Sequence, residues 1–410
     1  MNDIEEALAE LERLGLHRST RLISGPQGPQ VLLDGRPVVL LCSNNYLGFA
    51  DHPRVREAAA EAALRWGAGA GASRLVSGTM TIHDQLEHAL AEFERSESCV
   101  LFGSGYLANI GVLGALTALP GGGAAARERV VFSDALNHAS IVDGCRLARA
   151  ETFVYQHGDL DHLAWGLRGA PPGSVVVTDS VFSMDGDIAP LAEIVELAKR
   201  HRARVVVDEA HATGVLGPGG RGAVAAAGLD GEVDVVVGTL SKALGAYGAY
   251  ACASAEIVDL LVNKARTLIF STAPPPPAIA AALAALELLI EQPRRVEKLA
   301  ANAELMRSSL AAAGLRVRDG DTPIVPLVVG GAAAAIALSE AVLARGAFAQ
   351  AIRPPTVPDG SSRLRLTVMA SHSAAEIERA AAAIADAAAA IGARVAAVER
   401  EQPPAVGRAA

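Results

Sequence analysis

The residues with the most chemical capacity in this chain follow short apolar runs. Val130–Phe132 leads into Ser133, Asp134, Asn137 and His138. Val175–Thr178 leads into Asp179 and then Ser183-Met184-Asp185-Gly186-Asp187. Arg204–Val207 runs into Asp208-Glu209-Ala210-His211, and Val233–Val237 into Gly238-Thr239-Leu240-Ser241-Lys242. Ligands of open α/β sheets bind beyond the carboxyl ends of the strands. Acids, hydroxyls, imidazoles and a lysine are therefore expected on a single rim.

Lys242 sits in a glycine-rich, apolar loop with no acid beside it in sequence. A loop lysine is ordinarily a solvated charge. Desolvation in such a loop favours the neutral amine that a Schiff base needs. Phe102-Gly103-Ser104-Gly105-Tyr106 joins a strand to the apolar helix Leu107–Leu119. Small residues at a helix start let backbone N–H groups close on a phosphate. By itself that Gly-x-Gly is an ordinary turn, and Ala108 stands where a dinucleotide fingerprint needs its third glycine.

Asp208-Glu209-Ala210-His211 has the letters of a helicase box. That reading needs a GxxxxGK[ST] phosphate loop, and the chain has no Gly-Lys pair. A metal held by His138, Asp208 and His211 is a second reading, and an aspartate merely capping its turn a third. Lysine, aspartate, imidazoles and phosphate cradle together match pyridoxal phosphate: a phosphorylated aldehyde on a lysine, with an acid for its pyridine nitrogen.

These residues need a scaffold of buried strands. Ile4, Leu8, Leu11 and Leu14 predict an N-terminal helix, and Asp34-Gly35 a hairpin turn. Further on, apolar strands alternate with helices: Cys99–Phe102, Val130–Phe132, Thr152–Tyr155, Val175–Thr178, Arg204–Val207 and Val233–Val237, with helices such as Pro190–Arg202 between them. Unalternating valine runs belong to strands buried on both faces. The class is α/β, with a mostly parallel, doubly wound sheet. Tyr250–Ser254 follows too closely for a crossover and should run antiparallel. Pro274–Pro277 interrupts the longest uncharged run, so a membrane span is not expected there, and a helix Ala278–Glu291 follows. The expected division is a helix and hairpin over 1–50, a large domain over 51–285, a small C-terminal α+β domain over 286–398 and a disordered tail over 399–410.

Composition narrows the function classes. The 410 residues are 51% apolar and 20% charged, which excludes a disordered chain or a charged coiled coil. A net charge of −9 with no basic block argues against nucleic-acid or anionic-membrane binding. Cys42, Cys99, Cys145 and Cys252 are scattered without a CxxC, as in a reducing compartment. The acidic, amphipathic start has no basic n-region or apolar h-region of a signal peptide, so a cytoplasmic enzyme is expected.

The chain resembles the α-oxoamine synthases, fold-type I pyridoxal-phosphate enzymes, from Arg18 to about residue 390. The motifs that carry the resemblance are Ser43-Asn44-Asn45-Tyr46-Leu47-Gly48, Gly71-Ala72-Ser73-Arg74-Leu75-Val76-Ser77-Gly78, Asn137-His138-Ala139-Ser140, Val181–Asp187, Asp208–His211 and Gly238–Lys242. It implies that Lys242 binds the cofactor aldehyde, Asp208 the pyridine nitrogen, and His138 the ring face. It gives Ser183 and His211 the phenolic oxygen and Gly105, Tyr106 and Thr239 the phosphate end. A homodimer is implied too, with Thr272 reaching the partner's cofactor. Arg365 resembles the arginine that takes the amino-acid carboxylate, and Arg18, Asn45, Arg353 and Thr356 match substrate-contacting positions.

Within the group, acyl transfer to alanine, glycine or serine competes. Ile352-Arg353-Pro354-Pro355-Thr356-Val357-Pro358 is most similar to the alanine branch, which takes a pimeloyl thioester of coenzyme A or a carrier protein in biotin synthesis. Glycine with an acetyl thioester is the alternative. Asp179-Ser180, where Glu-Gly is common, and Thr79, where bulkier residues occur, depart from the pattern.

Overall fold

A computed structural model describes residues 2–118, 129–393 and 395. The tail expected over 399–410 and the last residue of the expected helix Leu107–Leu119 lie outside the described residues. The chain divides into two compact units. The larger is Phe49–Ser183 with Asp187–Val296; the smaller holds the chain up to Gly48, Met184–Gly186 and the chain from Glu297 onward.

The larger unit is built on a seven-stranded sheet. Its spatial order is Ser98–Phe102, Ala249–Ala253, Val235–Thr239, Arg204–Asp208, Val175–Asp179, Val130–Asp134 and Glu151–Tyr155. Ala249–Ala253 is antiparallel to both neighbours, as its short connection requires. All other pairings in the sheet are parallel. Val175, Val177, Val206, Val235 and Val237 are wholly buried, in one core with Val112, Leu113 and Leu116 of the helix Gly105–Thr117. Burying each such side chain contributes about 1.5–3 kcal/mol, which is why the valine runs mark the sheet centre.

Several element boundaries differ from the sequence expectation by a residue or two, and at two of them the cause is plain. The strand expected at Val233 begins at Val235, because the Asp234 carboxylate turns back to accept from the Val205 N–H at 2.7 Å. The helix expected from Ala278 begins at Pro276. Proline fits the first helical turn, where its missing N–H has no partner to lose. Among the described residues, no helix is long and apolar enough to cross a membrane.

The smaller unit contains the hairpin Gln30–Leu33 and Arg36–Leu40, turning at Asp34 (φ 49°) and Gly35 (φ 78°). Both turn residues have the positive φ of a type I′ turn. A second sheet orders Ile324–Gly330, Ser362–Thr367 and Ala351–Ile352. The N-terminal helix is Asp3–Arg13, capped by Asn2.

Candidate active site

The strands of the larger unit end where the chemistry is concentrated. Asp208 closes its strand and is 4% exposed. Its Oδ1 accepts from the Ala210 N–H at 2.8 Å, and its Oδ2 from Asn109 Nδ2 at 2.6 Å. Two donors hold the carboxylate in one orientation. His211, three residues on, is buried, and its Nε2 lies 2.9 Å from Lys242 Nζ. The lysine has no acidic neighbour in sequence, but the fold brings Asp179 within Coulombic reach of its half-buried ammonium.

His138 caps the helix Ala139–Ala148, and its backbone N–H donates to Asp179 Oδ2 at 2.7 Å. The residue as a whole is exposed, yet the protein removes enough water from the ring to hold it below the ordinary imidazole range. Asp208 opposes that shift and Lys242 adds to it. Asp179 is buried, and that burial together with the charge of Asp208 keeps its carboxyl well above the usual carboxylate range. Asn137 locks the neighbouring strands by donating to the Val177 carbonyl and accepting from the Asp179 N–H, both at 2.9 Å.

At the other end of the rim, Ser104 caps the helix Gly105–Thr117 by accepting from the Leu107 N–H. Thr239 is buried and close to this helix start: a Cβ on Gly105 would lie 3.9 Å from the Thr239 Cβ. Tyr106 is exposed, and its hydroxyl bonds to Asp143. Ser183 is half-buried beside Phe182, whose N–H donates to the Asp187 carbonyl at 3.0 Å. Thr272 is exposed and bridges Ser73.

The substrate candidates belong to the smaller unit. Arg365 is 6% exposed; its guanidinium donates to Asn44 Oδ1 at 3.1 Å and to the Tyr46 hydroxyl at 3.2 Å. Asn45 is buried and donates to the Gln27 carbonyl. Arg18 donates to the Pro354 carbonyl at 3.0 Å, and Arg353 to the carbonyls of Gly15 and His17. Burial and then Arg18 pull Arg353 below the ordinary guanidinium range. Thr356 is exposed on the turn that follows.

The donor set of the larger unit suits pyridoxal phosphate. A buried carboxylate fits a ring N–H, an amine fits an aldehyde, and a capped helix start fits a phosphate. A metal fits poorly. The Asp208 oxygens already accept from Asn109 and Ala210, His211 faces Lys242, and no metal-ligating group of three was found among the described residues.

Sequence reasoning passed over Asn109 and His157, and gave Ser140, though part of a quoted motif, no role. Asn109 carried a usable signal: it is the lone amide in the apolar helix Gly105–Thr117 and is 1% exposed. His157 joins two carboxylates, with Nδ1 3.0 Å from Asp134 Oδ1 and Nε2 2.7 Å from Asp187 Oδ2.

Comparison with known proteins agrees with this geometry. The chain belongs to the aminotransferase class I and II family, whose model matches residues 36–384. It is 50% identical over 386 residues to the 8-amino-7-oxononanoate synthase of Citrifermentans bemidjiense, covering 93% of this chain and 97% of that one. Its fold matches a serine palmitoyltransferase variant from S. paucimobilis, solved with a bound PLP–myriocin aldimine. The TM-score is 0.88 at 32% identity, over 95% of this chain and 98% of that one. The 8-amino-7-oxononanoate synthase of Francisella tularensis matches with a TM-score of 0.73 at 26% identity, over 87% and 99% of the two chains. The fold is that of the fold-type I transferases.

Proposed function

We propose that this chain is a pyridoxal-phosphate-dependent acyltransferase. It condenses L-alanine with a pimeloyl thioester to give 8-amino-7-oxononanoate, CO2 and free thiol, in biotin biosynthesis. The observation that carries the reading is the oriented, buried Asp208 in the company of Lys242, His211 and His138. It occurs in a chain half identical, nearly end to end, to a synthase of that name.

The cofactor supplies an electron sink that makes the amino-acid Cα–H acidic and the β-keto acid prone to lose CO2. Asp208 would accept from its ring nitrogen and keep a proton there. Lys242 would hold its aldehyde, and the Lys242 amine would be the base for the Cα proton and the acid that returns one. His138 would cover the ring face, and Ser183 and His211 would bind the phenolic oxygen. Gly105, Tyr106 and Thr239 serve the phosphate. Arg365 takes the alanine carboxylate, while Arg18, Asn45, Arg353 and Thr356 contact substrate. The far carboxylate of a pimeloyl tail calls for a cation, and Arg18 and Arg353 are the candidates.

The working unit is a cytoplasmic homodimer in which Thr272 reaches the partner's cofactor. A Lys242→Ala chain mixed with a Thr272-defective chain should recover part of the activity; sedimentation as an active monomer rejects the dimer. The reaction itself is tested with alanine, glycine and serine against acetyl, succinyl, pimeloyl and palmitoyl thioesters, on coenzyme A and on a carrier protein. CO2 and thiol release are scored. The alanine–pimeloyl pair should give the highest kcat/KM. A methyl pocket discriminates by only about 1–3 kcal/mol, so slow turnover of glycine is compatible. If glycine with the acetyl thioester is fastest, the proposal is wrong.

A further inference from the structure

Four side chains of the larger unit form a continuous relay. His138 Nδ1 lies 2.7 Å from Ser140 Oγ, and the Ser140 backbone N–H donates to the same Nδ1 at 3.2 Å. Asn109 Nδ2 donates to Ser140 Oγ at 2.9 Å and to Asp208 Oδ2 at 2.6 Å. Asn109 and Ser140 are each 1% exposed, so water does not compete for these bonds.

Counting protons fixes every role in the relay. A carboxylate can only accept, so the Asn109 atom facing Asp208 must be the amide nitrogen. Its two protons are spent on Asp208 and on Ser140 Oγ, and Asn109 Oδ1 is left with no hydrogen-bond partner among the described residues. A buried amide that forgoes an acceptor bond to place both donors is costly to keep for packing alone. The Ser140 backbone N–H donates to His138 Nδ1, so that nitrogen carries no proton. The Ser140 hydroxyl, which accepts from Asn109, is then the donor in its contact with Nδ1. The single proton of the neutral imidazole is then on Nε2.

We propose that Asn109 and Ser140 are positioning residues that lock His138 as its Nε2–H tautomer while orienting Asp208. His138 thereby presents at Nε2 a hydrogen-bond donor and not a base. The proposal rests on the reading of His138 as a residue of the cofactor rim. Removal of the Cα proton remains with Lys242.

The test uses the full chain labelled with [15N]histidine, with and without cofactor, the His138 signal being identified by its loss in His138→Asn. Wild type should show an unprotonated Nδ1 and a protonated Nε2. Ser140→Ala should give mixed tautomers and lower kcat by about 10–100-fold with little change in the amino-acid KM, as expected for a loosened donor. Ser140→Thr keeps the hydroxyl and should restore both readouts. Asn109→Ala should weaken cofactor binding, measured by absorbance, and disturb the tautomer as well. A proton on Nδ1 in wild type, or a Ser140→Ala protein with unchanged tautomer and kcat, overturns the proposal. The nitrogen signals are read without substrate, so a wrong acyl donor leaves that arm standing.

Discussion

His157 Nε2 lies 2.7 Å from Asp187 Oδ2, and the other ring nitrogen lies 3.0 Å from Asp134 Oδ1. One imidazole thus ties the segment leading to His138 to the loop that carries Ser183. Asp134 also accepts from the backbone N–H groups of Leu136 and Gly158, so both of its oxygens are engaged. Burial opposes a charge on His157, but the two carboxylates outweigh it and push the imidazole up to about 10.

This clamp has a definite pH signature. A raised imidazole pKa contributes stability in full below the free value of 6.5, and loses it as pH climbs through about 10. His157→Gln should therefore be less stable than wild type by about 1–3 kcal/mol near pH 6. The gap should narrow steadily towards pH 10. Denaturant midpoints across that range, with hydrogen exchange of residues 134–138 and 181–187, measure it. A gap that widened with rising pH would show that the imidazole is not held as a cation.

Gly238 and Tyr250 make a steric prediction. They face each other in register on adjacent strands, and a Cβ on Gly238 would lie 2.1 Å from the Tyr250 ring. The ring has no room to retreat. Tyr250 is wholly buried, and its hydroxyl donates to Glu94 Oε1 at 2.5 Å. Burial pushes that Glu94 carboxyl up to about 7. Gly238→Ala should cost at least about 1–3 kcal/mol by overpacking, read as a drop in Tm. Gly69→Ala, with open space around its Cβ, is the matched control and should be close to neutral.

Lys242→Ala should abolish turnover and leave the fold intact. On the proposed assignment cofactor attachment and proton transfer both use its amine, so the loss should exceed the ~10²–10⁴-fold typical of a general base alone. Borohydride reduction of wild type should fix the cofactor to the Lys242 peptide. The other lysines, Lys199, Lys264 and Lys298, are exposed, whereas Lys242 is half-buried beside His211. Label on any of those three would overturn the assignment.

The two kinds of site residue differed in legibility for a physical reason. Asp208 ends a valine-rich strand and His211 and Lys242 stand just past such strands, and burial on both faces writes those strands plainly into the sequence. Asn109 and Ser140 act through partners 99 and 31 residues away along the chain, and no local pattern encodes such pairings. His157 follows an edge strand with exposed positions at Glu151, Thr152 and Val154, so its neighbourhood reads as surface. The start of the helix at Pro276 was obscured by the proline run itself, since proline breaks a helix interior but suits its first turn.

Arg365 supplies the last prediction. Asn44 and Tyr46 accept from the guanidinium and help to fix its plane. A planar fork held this way suits a bidentate carboxylate, whereas a lysine ammonium offers only a point charge. Arg365→Lys should therefore raise the alanine KM by about 10–100-fold, corresponding to about 1.5–3 kcal/mol for a hydrogen bond to a charged group. Tyr46→Phe removes one neutral bond to the guanidinium and should raise it by less than about 10-fold. On the proposed assignment of Arg365 to the amino-acid carboxylate, the acyl-thioester KM should move little in either variant. Steady-state kinetics with each substrate varied in turn separate these outcomes. A thioester KM that rises as steeply as the alanine KM in Arg365→Lys would assign the arginine to the acyl donor instead.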